Sequence, residues 1–103
     1  MSIRARMRSF SLEQRRVAQG EAGALEWVWS PIRTVHAAVF HKSGRTAGEY
    51  GMAYLDEYVV IAEPGIYRRS MRLCDGETRY QIESVEQQGR YALLLCSREE
   101  DAV

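Results

Sequence analysis

Net charge is absent from this sequence. Fourteen Lys and Arg residues meet fourteen Asp and Glu residues in 103 positions, so overall charge requires neither nucleic acid nor a membrane surface as an obligatory partner. Lysine is almost missing, since Lys42 is the one base that is not arginine. Arginine stacks and forms bidentate pairs better than lysine, which favours protein interfaces. Cysteine is scarce: Cys74 and Cys96 sit among apolar neighbours on separate predicted strands, with no CxxC pair and no secretory leader, the pattern of buried thiols kept reduced in a cytosol. No apolar run approaches the roughly 20 residues of a membrane-spanning helix, so no membrane partner is expected.

Catalytic patterns are missing as well. His36 and His41 stand five positions apart on one predicted strand, on opposite faces, and cannot easily share a metal. Ser43 and Ser84 have no histidine and acid in any recognisable motif around them, and Gly44-Arg45-Thr46-Ala47-Gly48 lacks the lysine and spacing of a phosphate loop. Glu99-Glu100-Asp101 reads as a solvated acidic tail. No catalytic residue, metal or cofactor is expected, and the chain is read as a non-enzyme.

What is present is β-structure. Residues 79 to 98 read as a hairpin, Arg79 to Val85 out and Tyr91 to Arg98 back, in which Tyr80 and Ile82 alternate with Gln81 and Glu83, and which reverses at Glu86-Gln87-Gln88-Gly89, where Gly89 supplies the positive φ of a short loop. Its return strand is apolar on both sides, with Tyr91, Leu93 and Leu95 pointing one way and Ala92, Leu94 and Cys96 the other. One face needs a core and the other a cover. Phe10 to Val17 fits a strand better than a helix, because Val17 alone follows as an apolar residue. Leu25 to His41 is β-type, but Pro31 is expected to split it into an edge portion through Trp29 and a regular strand from about Arg33 to Phe40. Residues 57 to 63 and 71 to 74 add short strands, punctuated by Pro64-Gly65 and Asp75-Gly76. Residues 42 to 55 hold three glycines and no clean strand period, and are expected to form one long inserted loop.

The sum is an all-β domain, a small antiparallel barrel of about six strands, because closure removes exposed edges. The domain spans residues 10 to 98. An Arg-rich start at 1 to 9, with Arg4, Arg6 and Arg8, is expected to be flexible, and 99 to 103 form the tail. Trp27 and Trp29, beside Pro31, are candidate interface anchors, and Ala92 and Leu94 are candidates for the apolar face that a neighbouring subunit covers.

The order of elements carries a resemblance. Trp29, the strand from Thr34 to Val39, Ser43-Gly44 opening a variable loop with Glu49, Val59-Val60-Ile61, Pro64-Gly65-Ile66, Met71-Arg72-Leu73, Tyr80-Gln81-Ile82-Glu83-Ser84-Val85 and Leu93-Leu94-Leu95-Cys96 follow one another as in the head-tail joining proteins of tailed bacteriophages. The chain resembles that family over about residues 10 to 98. The resemblance implies a structural virion protein of a phage or prophage neck, made in the host bacterial cytoplasm. Such a protein forms a six- or twelve-fold ring of its own copies, with a portal or adaptor protein above and a tail protein below. It closes the filled head and offers the surface on which the tail docks. The resemblance also places the insertion near the DNA channel as a stopper, which assigns Ser43, Gly44, Arg45, Thr46, Glu49, Tyr50 and Tyr54 to a passing contact with genomic DNA. This insertion has no strong DNA-binding charge pattern, so a steric plug suits it better than an electrostatic one. The competing reading is a monomeric small-barrel module that binds single-stranded nucleic acid or peptide by stacking on its aromatics. The acids Glu57, Glu63, Glu83 and Glu86 on the same strands argue against a basic groove.

Overall fold

The computed structural model describes residues 3–48 and 51–100, and the backbone alone at 43–48, 51–56, 88 and 100. A helical turn α1 (Ile3–Arg6) precedes β1 (Arg8–Gln19), β2 (Leu25–Gly48), β3 (Gly51–Ala62), β4 (Met71–Asp75), β5 (Thr78–Gln88) and β6 (Tyr91–Glu100). All pairings among these strands are antiparallel, and they close in the order β1-β2-β3-β6-β5-β4. The ring shuts between β1 and β4, where Ser11 to Gln14 pair with Cys74 to Met71. The expected all-β barrel is therefore the fold.

Alternation of side chains builds its interior. Phe10 and Leu12 from β1, Val35 and Ala37 from β2, Val60 and Ala62 from β3, Leu73 from β4, Ile82 from β5 and Leu94 from β6 are essentially inaccessible to water. Tyr58, Tyr80 and Phe10 join across the barrel in edge-to-face contacts, with centroids 5.4 Å apart for Tyr58 and Tyr80 and 6.0 Å for Phe10 and Tyr80. The two tight turns rest on glycine: Gly76 (φ 62°) and Gly89 (φ 58°) each occupy the first central position of a two-residue hairpin loop, where residues with a Cβ are strained. The last hairpin thus turns at Gly89-Arg90, and its ladder runs on through Gln88, three residues further than expected.

Two expectations fail on backbone pairing. Pro31 does not split β2. Leu12 pairs with Arg33 and Glu13 with Pro31, so Ile32 is an extra residue in a β-bulge that absorbs the proline within one continuous strand. A straight strand of 24 residues would reach about 80 Å, beyond the 50 Å longest dimension of the molecule, so β2 must coil, and the bulge gives it a place to bend. Residues 42 to 48 and 51 to 55 are likewise paired strands and not part of an irregular loop. Lys42 to Gly48 pair in register with Glu57 to Gly51, making a two-stranded extension of β2 and β3. The ladder forms through backbone groups, so glycine-rich composition masked it without preventing it.

Candidate functional site

β2 is longer than the barrel at both ends. Towards its start it pairs with β1 alone, and Arg15 to Gln19 with Leu25 to Trp29 form one arm beyond the last β1 residue that pairs with β4. Towards its end it pairs with β3 alone, and residues 43 to 48 with 51 to 56 form a second arm. Since both continue one strand, in opposite senses, they leave the barrel at opposite ends.

The first arm is amphipathic in an unusual way. Directly paired residues share a face, and the pairs Arg15 with Trp29, Val17 with Trp27 and Gln19 with Leu25 set the apolar residues on one side. The bulge at Ile32 is the cause. Odd-numbered Val35 and Ala37 point inward, yet beyond the bulge odd-numbered Trp27 and Trp29 lie on the outward face. Trp27 is 66% exposed, Leu25 77% and Val17 48%. Arginines brace the two indoles, with the Arg15 guanidinium 4.7 Å from the Trp27 ring centre and that of Arg72 4.0 Å from Trp29.

At the arm's root Arg72 Nε also donates to Glu13 Oε1 at 2.7 Å, and the Cys74 thiol donates to the same oxygen at 3.2 Å. Burial works to raise the Glu13 carboxyl, but the hydrogen bonds from Arg72 and Cys74 and the charges of Arg72 and Arg79 outweigh it and hold the group below its usual value. The same contact, after burial itself, raises the Cys74 thiol to about 11. A depressed folded-state carboxyl contributes stability above the ordinary carboxylate value of 4.5 and loses it as pH falls through the folded one. Glu13→Gln is therefore expected to cost about 1 to 3 kcal/mol at pH 7. The gap from the parent should shrink at pH 3, measured by urea unfolding at both values. An equal loss at both would show that charge at this position is irrelevant.

The second arm carries the channel candidates. The backbone pairs Ser43 with Asp56, Gly44 with Leu55, Arg45 with Tyr54 and Thr46 with Ala53, so these positions are set by a ladder. Glu49 and Tyr50 lie outside the described residues. The interface candidates divide. Trp27 is on the surface and Trp29 half-buried, whereas Ala92 and Leu94 are wholly buried inside the barrel. The outward face of β6 is the other one, Tyr91, Leu93 and Leu95, because Ile82, Val60 and Leu94 already share the interior.

That outer face extends over three strands. Cross-strand rows run Phe40–Val59–Leu95 and Ala38–Ile61–Leu93. Helix α1 packs on β2, Ile3 lines one cavity with Ile61 and Leu93, and the Arg6 guanidinium lies 5.5 Å from the Phe40 ring centre. Leu95 stays 41% exposed. The sequence held a signal for this wall, an apolar residue at every position from Tyr91 to Cys96, but not which parity lay inside.

Among the described residues the two histidines stand apart from each other. His36 faces out, 60% exposed and 3.9 Å from Glu63, while His41 stacks on Tyr58 at the barrel mouth with ring centres 4.7 Å apart. Among the described residues no group of three metal-ligating side chains converges. Cys74 and Cys96 are free thiols on β4 and β6, with β5 between them.

No curated protein matches the chain in sequence. Among solved structures, one chain from "Virion of native gene transfer agent (GTA) particle" shares the fold, with a TM-score of 0.65 and 20% identity over 93% of this chain and 96% of that one. The family model described as phage head completion protein matches residues 1–100, nearly the full length, and the chain belongs to that family.

Proposed function

We propose that this structural phage head protein acts as a ring-forming connector in the virion neck. Its copies, six or twelve, would sit below the portal or its adaptor and above the first tail protein, closing the filled head and presenting the surface on which the tail docks. The supporting observation is the pair of arms at opposite ends of one closed barrel, because a part between two assemblies needs contacts on both sides. A similar fold in a chain from a gene transfer agent virion agrees with a place in a virion particle. The second arm, residues 43 to 48 with 51 to 56, is read as the element directed at the DNA channel. A paired hairpin suits a steric stop better than an irregular loop does, since each residue of one strand is held by the other.

Replacing residues 44 to 54 by a two-residue turn tests this reading. The barrel contacts of β2 and β3 lie outside the deletion, at Ala37 to Lys42 with Ala62 to Glu57, so the variant should fold with an unchanged β-sheet spectrum. Particles assembled with it should contain the protein but lose packaged DNA, seen as empty heads. Full heads would refute the stopper role and leave the connector role in place. Particles that lack the parent protein at the neck would refute both.

A further inference from the structure

Residues 63 to 70 join β3 to β4 with no strand of their own, yet the barrel fixes their backbone. Three glutamine amides donate to this connector: Gln87 to the Gly65 carbonyl at 3.0 Å, Gln81 to that of Arg69 at 2.7 Å and Gln14 to the Ser70 hydroxyl at 2.8 Å. The Arg15 backbone N–H adds a bond to the Ser70 carbonyl at 2.9 Å. A loop pinned in this way loses little further freedom on binding. What it presents is Arg68 and Arg69, both exposed, and among the described residues neither guanidinium has a hydrogen bond, an ion pair or a ring contact.

Both line a cleft of about 790 Å³, together with Arg15, Glu83 and Glu99. The bases come from the connector and β1, the acids from β5 and β6. Glu99 stands opposite Arg79 in the β5–β6 ladder, so its charge is balanced within its own strand pair. Glu83 is the residue that the β5 bulge skips, which takes it out of the alternation, and it accepts a hydrogen bond from the Ser97 hydroxyl at 2.8 Å. It is the acid that a ligand in the cleft would meet.

We propose that this cleft binds a protein segment carrying both signs, its carboxylates on Arg68 and Arg69 and a base on Glu83. The proposal does not depend on the ring reading above. Charge argues against nucleic acid as the occupant. Duplex binding draws its affinity from many phosphate contacts in a row, and a chain of zero net charge with three arginines in one cleft supplies few of them. A run of phosphates on those arginines would also bring like charge against Glu83. A peptide with an acidic and a basic block meets no such conflict, and Glu83 then selects against ligands that are acidic throughout.

Fluorescence anisotropy of labelled probes on the full chain at physiological salt tests this. The probes are a peptide with a Glu-Glu-Glu block followed by Lys-Lys-Lys, an all-Glu peptide of the same length and a short DNA duplex. The mixed peptide should bind most tightly. Arg68→Gln with Arg69→Gln should weaken it at least about tenfold, since the charge-assisted hydrogen bonds of two guanidinia are lost. Glu83→Gln should bring the all-Glu peptide level with the mixed one. All three positions are exposed, so both variants should melt with the parent. A parent that binds the duplex or the all-Glu peptide as tightly as the mixed one would overturn the proposal, as would an arginine variant that binds the mixed peptide like the parent. A preference for the mixed peptide that survives Glu83→Gln, or no saturable binding of any probe, would overturn it too.

Discussion

Leu94→Ala should destabilise the subunit by about 2 to 5 kcal/mol, while Leu95→Ala, one residue on, should cost about 1 kcal/mol or less. The two differ only in face. Leu94 is wholly buried opposite Val60, within the interior that Ile82 and Phe10 also line, so its truncation removes transfer free energy and leaves a cavity. Leu95 is 41% exposed on the wall and pairs with Val59, so less area returns to water and no cavity is enclosed. A domain of about this length has roughly 5 to 15 kcal/mol in all. Leu94→Ala should therefore lower the melting temperature by about 10 °C or more, and Leu94→Asp, which buries an unpaired charge, should not fold. Circular dichroism melts of the purified variants measure this. The ranking should invert for assembly: Leu95→Asp should fold and fail to join particles. Equal loss of stability at both positions would mean that the wall is not a surface.

The contrast between these leucines also marks where reading the sequence runs out. Period-two alternation identified the strands that cross the core, and the glycines at 76 and 89 located the turns, because both signals are local. Which parity of Tyr91 to Cys96 faces inward is not local. It depends on register with Val60 on β3 and on the bulge that offsets β5, where Ile82 pairs with Cys96 and Ser84 with Leu95, skipping Glu83. The bulge at Ile32 hid the arm in the same way. Trp27 and Trp29 have the parity of the buried Val35 and Ala37, and a pairing slip of one residue turns them to solvent. Pro31 announced irregularity there but not its form, and a bulge satisfies a missing N–H as well as a break does. Residues 42 to 55 failed for a different reason. A ladder is made by backbone groups and needs no apolar period, so composition carried no trace of it.

Tyr80→Ala is expected to have the broadest consequence, a loss of about 3 to 5 kcal/mol, because the ring it removes joins strands that are distant in sequence. Tyr80 meets Phe10 of β1 and Tyr58 of β3, and Tyr58 in turn stacks on His41 of β2 and accepts a hydrogen bond from Arg98 Nη1 at 3.2 Å on β6. Each aromatic pair adds about 0.5 to 1.5 kcal/mol beyond area, and the cavity would lie against the seam where β1 closes on β4. Tyr80→Phe keeps ring and volume and should cost under about 1.5 kcal/mol. Function should respond at a distance. His41 and Tyr58 are the last stacked pair before β2 and β3 leave the barrel as the second arm, so loosening them frees the arm's direction even where the subunit still folds. Hydrogen exchange should rise at 41 to 48 and 51 to 58 in Tyr80→Ala at a temperature well below its melting point, and remain at parental levels in Tyr80→Phe. Exchange confined to β4 and β5 would instead mean that the aromatic chain stabilises the barrel without aiming the arm.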